Sequence, residues 1–450
     1  MRMRIGLVAA LVLSFVCSPV LSQNNNDDRL NQLEQRLTEL EQKYQADLKQ
    51  RDTEIERLRS QLDQQQRTAP TQDEIEQTRQ EILEDIESRR QPLLDLRRPV
   101  SFNPDIAVIS DFLYTYSDNR ENPAYNRFDI REVELDIRAP VDPRADGVFI
   151  VAMHRHVHNP LFEEEDEDEE EGLETSVNIE EAYLFLHDFG VPNLTAKVGR
   201  FHLRFGRQNL LHQHDLPTTD PAFVNQAFLA PESLIDSGIS LSYVIPPRMV
   251  GGQYIEVIGE VITGEGAHSE SPTLAGGVGV DSPAFNTHIL WNTNLTRNLN
   301  FELGGSWLRG HADDDNELDV NLFGIDLTLI RTDPTGGFNN TLFQAEAIYG
   351  IVAQPDGTTE RAWGAYVLGQ QQLNRDWYAG LRLDWTQNPN DAGMEIWGIT
   401  PYVSWYWSEF LRFRLSYQRR DGDIDPEHLI YLQATWTFGA HPPHPYWSMR

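Results

Sequence analysis

From Ser101 onward apolar and polar residues alternate with a period of two, the pattern of strands that show a different environment on each face. Between Trp377 and Thr386 one face carries Trp377, Ala379, Leu381, Leu383 and Trp385, and the other carries Tyr378, Gly380, Arg382, Asp384 and Thr386. Leu411, Phe413, Leu415 and Tyr417 likewise oppose Arg412, Arg414, Ser416 and Gln418, while Ile430, Leu432, Ala434, Trp436 and Phe438 share one face of the last segment. Nearer the start, Val133, Leu135, Ile137 and Ala139 oppose Glu132, Glu134, Asp136 and Arg138. A packed sandwich core would not tolerate such charges, whereas a water-filled lumen does. The pattern predicts an all-β transmembrane barrel, with Glu132, Glu134, Asp136, Arg382, Asp384, Arg412 and Arg414 as its pore-lining residues.

The alternating segments fall near 103–116, 127–139, 147–158, 176–187, 194–204, 237–245, 253–263 and 284–294, then 299–310, 318–331, 340–352, 362–373, 376–387, 395–407, 410–420 and 427–439. That makes about sixteen antiparallel strands, and an even number returns both ends of the barrel to one side of a membrane. Compact connections such as VDPRADG, GVPN, LTRN, LNRD and WSE alternate with long ones at 159–175, 205–236 and 264–283. Bacterial barrels show this asymmetry, with short periplasmic turns and longer outer loops.

The period differs upstream. Leu30, Leu33, Leu37, Leu40 and Tyr44 step by three and four, the seam slips near Leu48, and it resumes at Ile55, Leu58 and Leu62. This predicts an α-helical coiled coil preceding the barrel. Pro70 breaks it, Thr71 and Glu74 form a capping box, and Ile75, Ile82, Leu83 and Ile86 continue a second helix until Pro92 and Pro99. The first residues read as a secretory signal: Arg2 and Arg4, an apolar run from Ile5 to Val16, and a small-residue cleavage site at Val20-Leu21-Ser22. The expected organisation is a signal peptide at 1–22, coiled coil at 23–69, capped helix and linker at 70–99, barrel at 100–440 and a tail at 441–450.

Composition narrows the function classes. The lone Cys17 lies inside the signal, which leaves the exported chain without disulfides, thiolate metal sites or cysteine nucleophiles. A net charge of −33 argues against nucleic acid as a partner and for a surface that draws cations. The mean hydropathy of −0.49 offers no transmembrane helix, yet alternating barrel strands average to just such mild values. All 10 Trp lie after position 290, several of them (Trp291, Trp377, Trp385, Trp397, Trp405 and Trp407) near inferred strand ends, as an interfacial girdle would place them. There is no nucleophile elbow, phosphate-cradling glycine loop or HExxH, so the expectation is a protein that is not an enzyme.

Two clusters carry candidate chemistry. His154, His156 and His158 alternate on one strand edge just before the acidic run Glu163 to Glu171. Imidazoles two residues apart can share zinc or another divalent cation with a carboxylate such as Glu163, but His154 and His158, about 13 Å apart at strand rise, cannot both reach one ion. The bland alternative is a solvated acidic loop that collects cations without selecting among them. The second cluster, Arg204, Arg207, His212, His214 and Asp215 with His202 beside it, leads into the long segment 205–236. A long loop folded into a lumen narrows it, which makes these the constriction candidates, with hydrogen-bonded loop anchoring as the alternative role for the histidines.

The stretch VGRFHLRFGRQN, Val198 to Asn209, resembles the glycine, basic and aromatic strand of the phosphate-selective porin O/P-like outer-membrane proteins. FNPDIAVISDF near 102–112, REVELDIRAPVDP near 131–143, NIEEAYLFL near 178–186 and the tail FGAHPPHPY resemble barrels sometimes labelled zinc-regulated outer membrane proteins. The resemblance implies a homotrimer in outer-membrane lipid that passes small ions or solutes. Phosphate selectivity would call for a basic ladder, and the mixed lumenal charges here suggest a transverse field instead. The expected location is the outer membrane of a Gram-negative bacterium with the coiled coil in the periplasm, where it can contact peptidoglycan. Two other readings stand beside the porin: an envelope tether, whose roughly 60 helical residues would span about 90 Å, and a metal-scavenging surface receptor.

Overall fold

The computed structural model describes residues 104–439 apart from 121, 123–124, 157–160, 163–173, 265–270, 275–281 and 314–316, with the backbone alone at Arg155, His156, Glu174 and Thr175. The signal, coiled-coil, linker and tail expectations lie outside the described residues, as do His158, Glu163 and the side chain of His156.

Sixteen antiparallel strands close into one barrel, each paired to its sequence neighbours and the first to the last. They are β1 (Asp105–Ser117), β2 (Arg127–Asp142), β3 (Ala145–His156), β4 (Glu174–Leu186), β5 (Leu194–His202), β6 (Ile235–Ile245), β7 (Tyr254–Ile262) and β8 (Ala284–Thr296). The second half comprises β9 (Leu299–His311), β10 (Asp319–Arg331), β11 (Thr341–Ala353), β12 (Thr359–Gln372), β13 (Trp377–Gln387), β14 (Glu395–Ser408), β15 (Leu411–Gly422) and β16 (Glu427–Gly439). Alternation along each strand sorts the side chains as the sequence pattern predicts. In β13, Leu381 and Leu383 are 40% and 46% exposed on the outside, whereas Arg382 and Asp384 between and beside them are 0% and 4% exposed inside. Closure leaves no strand edge unpaired, as the hydrocarbon of a bilayer requires. Outward aromatic rings stack across neighbouring strands, Trp377 on Trp405 at 5.4 Å and Trp363 against Trp385 at 4.3 Å between centroids.

Of the register shifts among the described residues, two fall mid-strand beside the interior charges. In β2 the pairing with β1 steps from Glu132 opposite Asp111 to Ile130 opposite Phe112, which leaves Arg131 as the extra residue. In β4 the pairing with β3 steps from Glu181 opposite Ile150 to Ile179 opposite Val151, with Glu180 extra. A bulge re-aims the local side chain. Here Arg131 reaches the interior carboxylate of Asp111 at 2.5 Å although its neighbour Glu132 also lies buried, and Glu180 and Glu181 are buried side by side.

The interior is not an empty tube. The connection between β5 and β6, residues 203–234, folds back inside the hoop of strands and packs on its walls. Leu203, Phe205, Leu216, Val224, Ala227 and Phe228 from this segment join Leu322, Ile348, Val352, Tyr366 and Leu368 from β10, β11 and β12 in one apolar cluster.

Candidate functional site

The inserted segment begins at a reversal. Gly206 adopts φ +61°, in the left-handed region, and a Cβ there would sit 3.1 Å from Glu346 Oε2. Glycine therefore permits both the turn and the close approach of that carboxylate. Glu346 Oε1 accepts the backbone N–H of Arg207 at 2.6 Å and of Gln208 at 2.7 Å, and its Oε2 accepts Asn225 Nδ2 at 3.2 Å. Glu260 of β7 accepts the N–H of Arg204 at 3.0 Å, and Ser306 of β9 accepts that of Gly206 at 2.9 Å. Arg207 also pairs with Glu302 of β9 at 3.0 Å.

Further along, Pro217 and Pro221 lack N–H groups, and the chain from His214 to Asp220 presents carbonyls to the wall. Arginines of the wall take them. Arg412 donates to the His214 carbonyl at 2.5 Å, and Arg414 donates to those of Leu216 at 2.7 Å and Thr218 at 2.5 Å. Arg382 donates to the Asp220 carbonyl and the Thr218 hydroxyl, both at 2.6 Å, and Arg131 donates to the Thr219 carbonyl. Carboxylates on one part of the wall thus receive the segment's N–H groups while arginines elsewhere serve its carbonyls.

A short helix, α1 (Phe223–Phe228), completes the insertion against β11, β12 and β13. Its Phe223 N–H donates to Asp384 at 3.1 Å. The wall gives way to its rings at glycines: a Cβ on Gly350 would lie 2.7 Å from Phe228, and one on Gly398 would lie 2.6 Å from Phe223.

The remaining flank holds the histidines. His212 Nδ1 lies 2.8 Å from Glu180 and 3.3 Å from Glu134, and its Nε2 lies 3.2 Å from Glu181. His214 Nδ1 lies 3.2 Å from Glu132. Burial would drive the His214 imidazole towards neutrality, but the charges of Asp215, Glu134 and Glu132 outweigh it and push its pKa up to about 10. Where the segment meets the wall arginines, burial raises its Asp220 carboxyl, but Arg382, Arg420 and the Gln418 amide hold it below the usual carboxylate range.

The structure therefore brings Arg204, Arg207, His212, His214 and Asp215 together on the inserted segment. Glu132, Glu134, Arg382, Asp384, Arg412 and Arg414 point inward from β2, β13 and β15 and are buried against that segment instead of facing open water, while the buried Asp136 pairs with Arg138 of its own strand. The reason is the depth of the insertion, which a period-two reading of strands does not register. His154, expected beside the outer acidic run, also points inward and meets Glu180 at 2.6 Å and Glu232 at 3.5 Å. Sequence reasoning missed Asp111, Arg131, Glu180, Glu232, Glu260 and Glu346. Strict alternation would have flagged Glu260 and Glu346, but the bulges at Arg131 and Glu180 defeat it.

Among proteins of known sequence, a protein of Aquifex aeolicus described as uncharacterized is 24% identical over 410 residues, covering 77% of this chain and 80% of its own length. No protein-family model matches the chain. The anion-selective porin from Comamonas acidovorans shares the fold with a TM-score of 0.50 at 11% identity, over 75% of this chain and 99% of that one. The outer membrane channel DcaP of Acinetobacter baumannii is similar at 13% identity with a TM-score of 0.46, over 75% and 96% of the two chains. Salmonella typhi OmpF follows at 9% and 0.48, over 74% and 97%. In fold the chain is a porin-like barrel of the outer-membrane kind.

Proposed function

We propose that the protein is an outer-membrane channel of the porin type in a Gram-negative bacterium, passing small ions or solutes by passive diffusion, with residues 203–234 as the element that restricts its lumen. The observation that carries this reading is the segment itself. It occupies a closed barrel with an apolar exterior and is held there by arginines and carboxylates projecting from the wall. The interior charges are unevenly distributed, with Asp111, Glu132, Glu134, Glu180 and Glu181 on β1, β2 and β4 and Arg382, Arg412, Arg414 and Arg420 on β13 and β15, although Arg131 on β2 and Asp384 on β13 pair within their own sets. An ion passing beside the inserted segment would feel the field of these unevenly placed charges through the segment that covers them.

In the same reading the barrel assembles as a homotrimer. The heptad segment 23–69 stands on the periplasmic side as a coiled coil within reach of peptidoglycan, because sixteen strands bring both barrel ends to the short-turn side. Single-channel recording of the mature protein in planar bilayers under a salt gradient tests the proposal. Small conductance steps appearing in groups of three support it, and a folded, heat-modifiable barrel that never conducts refutes it.

A further inference from the structure

We propose that His202, His212 and Glu180 form a binding site for a first-row divalent metal ion of the zinc class, set where the inserted segment leaves the barrel wall. One ligand atom from each of the three lies within 4.8 Å of the other two. The imidazoles of His202 and His212 meet edge to face with their centroids 4.6 Å apart. Two ligands of a tetrahedral zinc ion at about 2.0–2.1 Å stand roughly 3.3 Å from each other, so side-chain adjustments on the order of an ångström would close the set.

His202 carries the second observation. Its Nδ1 lies 3.0 Å from the carbonyl oxygen of Asn209, which can only accept, so Nδ1 holds the proton. That leaves Nε2 with its lone pair, buried with 4% of the residue exposed and making no hydrogen bond. A buried ring nitrogen without a partner is costly in a satisfied interior. The same arrangement, one nitrogen donating to a backbone carbonyl and the other bare, is the one that metal-bound histidines adopt.

His212 is prepared to offer Nδ1, which faces the co-ligand Glu180 at 2.8 Å, while its Nε2 keeps the carboxylate of Glu181 at 3.2 Å as an outer partner. Glu180 is fixed in turn by His154, whose Nε2 lies 2.6 Å from its Oε1. Glu134, 3.3 Å from His212 Nδ1, stands by as a further donor. Two imidazoles with carboxylate suit zinc and its neighbours, whereas calcium and magnesium seek oxygen alone. The ion would fasten the inserted segment, through His212, to β4 and β5.

The test is zinc titration of the chelator-stripped, full-length mature protein in detergent, read as metal retained after dialysis. One tight zinc per chain is expected. Loss of an outer partner alone weakens metal sites 10–100-fold, so His202→Ala and His212→Ala should weaken this one by at least about 100-fold. His187→Ala, an exposed histidine paired with Asp146 elsewhere, should bind as the parent does. Cobalt(II) supplies a reading on the unaltered chain: intense visible bands of a four-coordinate ion support the site, and a weak six-coordinate spectrum overturns it. Equal zinc affinity in His202→Ala and the parent, or no saturable binding in the parent, also overturns it. Conductance plays no part here, so a chain that binds zinc and never conducts would sink the channel reading and leave this site standing.

Discussion

The side chain of Asn209 grips the peptide of Leu234 from both sides: its Nδ2 donates to the Leu234 carbonyl at 3.0 Å, and the Leu234 N–H donates to its Oδ1 at 2.7 Å. The same Nδ2 reaches the Leu203 carbonyl at 2.9 Å, so one amide binds the two ends of the inserted segment together at the point where it leaves the wall. Replacing Asn209 by Ala leaves the Leu234 N–H bare, whereas the two carbonyls keep backbone donors, Leu203 N–H at 3.1 Å for Leu234 and Phe205 N–H at 2.9 Å for Leu203. At about 1–3 kcal/mol for a buried polar group left bare, the variant should lose roughly 1–3 kcal/mol against the parent in thermal or denaturant unfolding. Unchanged stability would show that the two ends are held by other means.

Arg414 serves the segment more than it faces any solution. Its guanidinium donates to the Leu216 and Thr218 carbonyls and to Gln433 and Ser404 of the wall. Arg414→Ala should therefore do more than remove a positive charge. It should free the carbonyl-rich stretch, raising single-channel conductance severalfold along with any shift of reversal potential towards cations. A change in selectivity at constant conductance would mean that the arginine acts as a lumenal charge and not as a clasp.

Gly350 and Phe228 share a space too small for two side chains. Gly350→Ala would place a Cβ 2.7 Å from the Phe228 ring, and overpacking of that kind costs about 1–3 kcal/mol. A second change, Phe228→Leu, should cost stability alone yet recover part of the loss when combined with Gly350→Ala. A double-mutant cycle reads the coupling, and additive losses would place the ring elsewhere.

Asp220 supplies a pH dependence of known sign. A carboxyl held below its ordinary value contributes stability that is complete above the unfolded value of 3.8 and fades as the pH falls through the folded one. The Arg382 and Arg420 contact should thus persist from neutral pH down to about 4 and yield only in stronger acid. Bilayer recordings across that range, compared with Asp220→Asn, check this. The variant should show higher conductance at neutral pH and less additional opening below 3.8.

The barrel was legible because its signal is repetitive. Leu381 and Leu383 against Arg382 and Asp384 state one rule, and strand after strand restates it, so the hydrogen-bonded closure followed from counting. The inserted segment was legible only as length. Its chemistry depends on partners more than a hundred positions away, such as Glu346 for Arg207 or Arg414 for Leu216, and no local pattern encodes which wall residue meets which peptide. The bulges hid Arg131 and Glu180 for a different reason: one additional residue reverses the sense of the alternation, and the residues that do so carry no distinguishing type. His154 was noticed for its spacing to His156 and His158, whereas its contacts come from the facing strand and the inserted segment.

Taken from the membrane inwards, the molecule reads oily, then charged, then oily again, because the centre of the barrel is a small globular core of Phe205, Phe228, Leu322, Ile348 and Leu368. The wall under that core is consequently not written for water. Excising 203–234 would not bequeath a wider aqueous duct; it would strip a greasy lining bare together with a ring of arginines and carboxylates whose partners had vanished. Such a shortened chain is better suited to collapse or misassembly than to free flow, and the breadth of the hoop is a poor guide to what can travel through it.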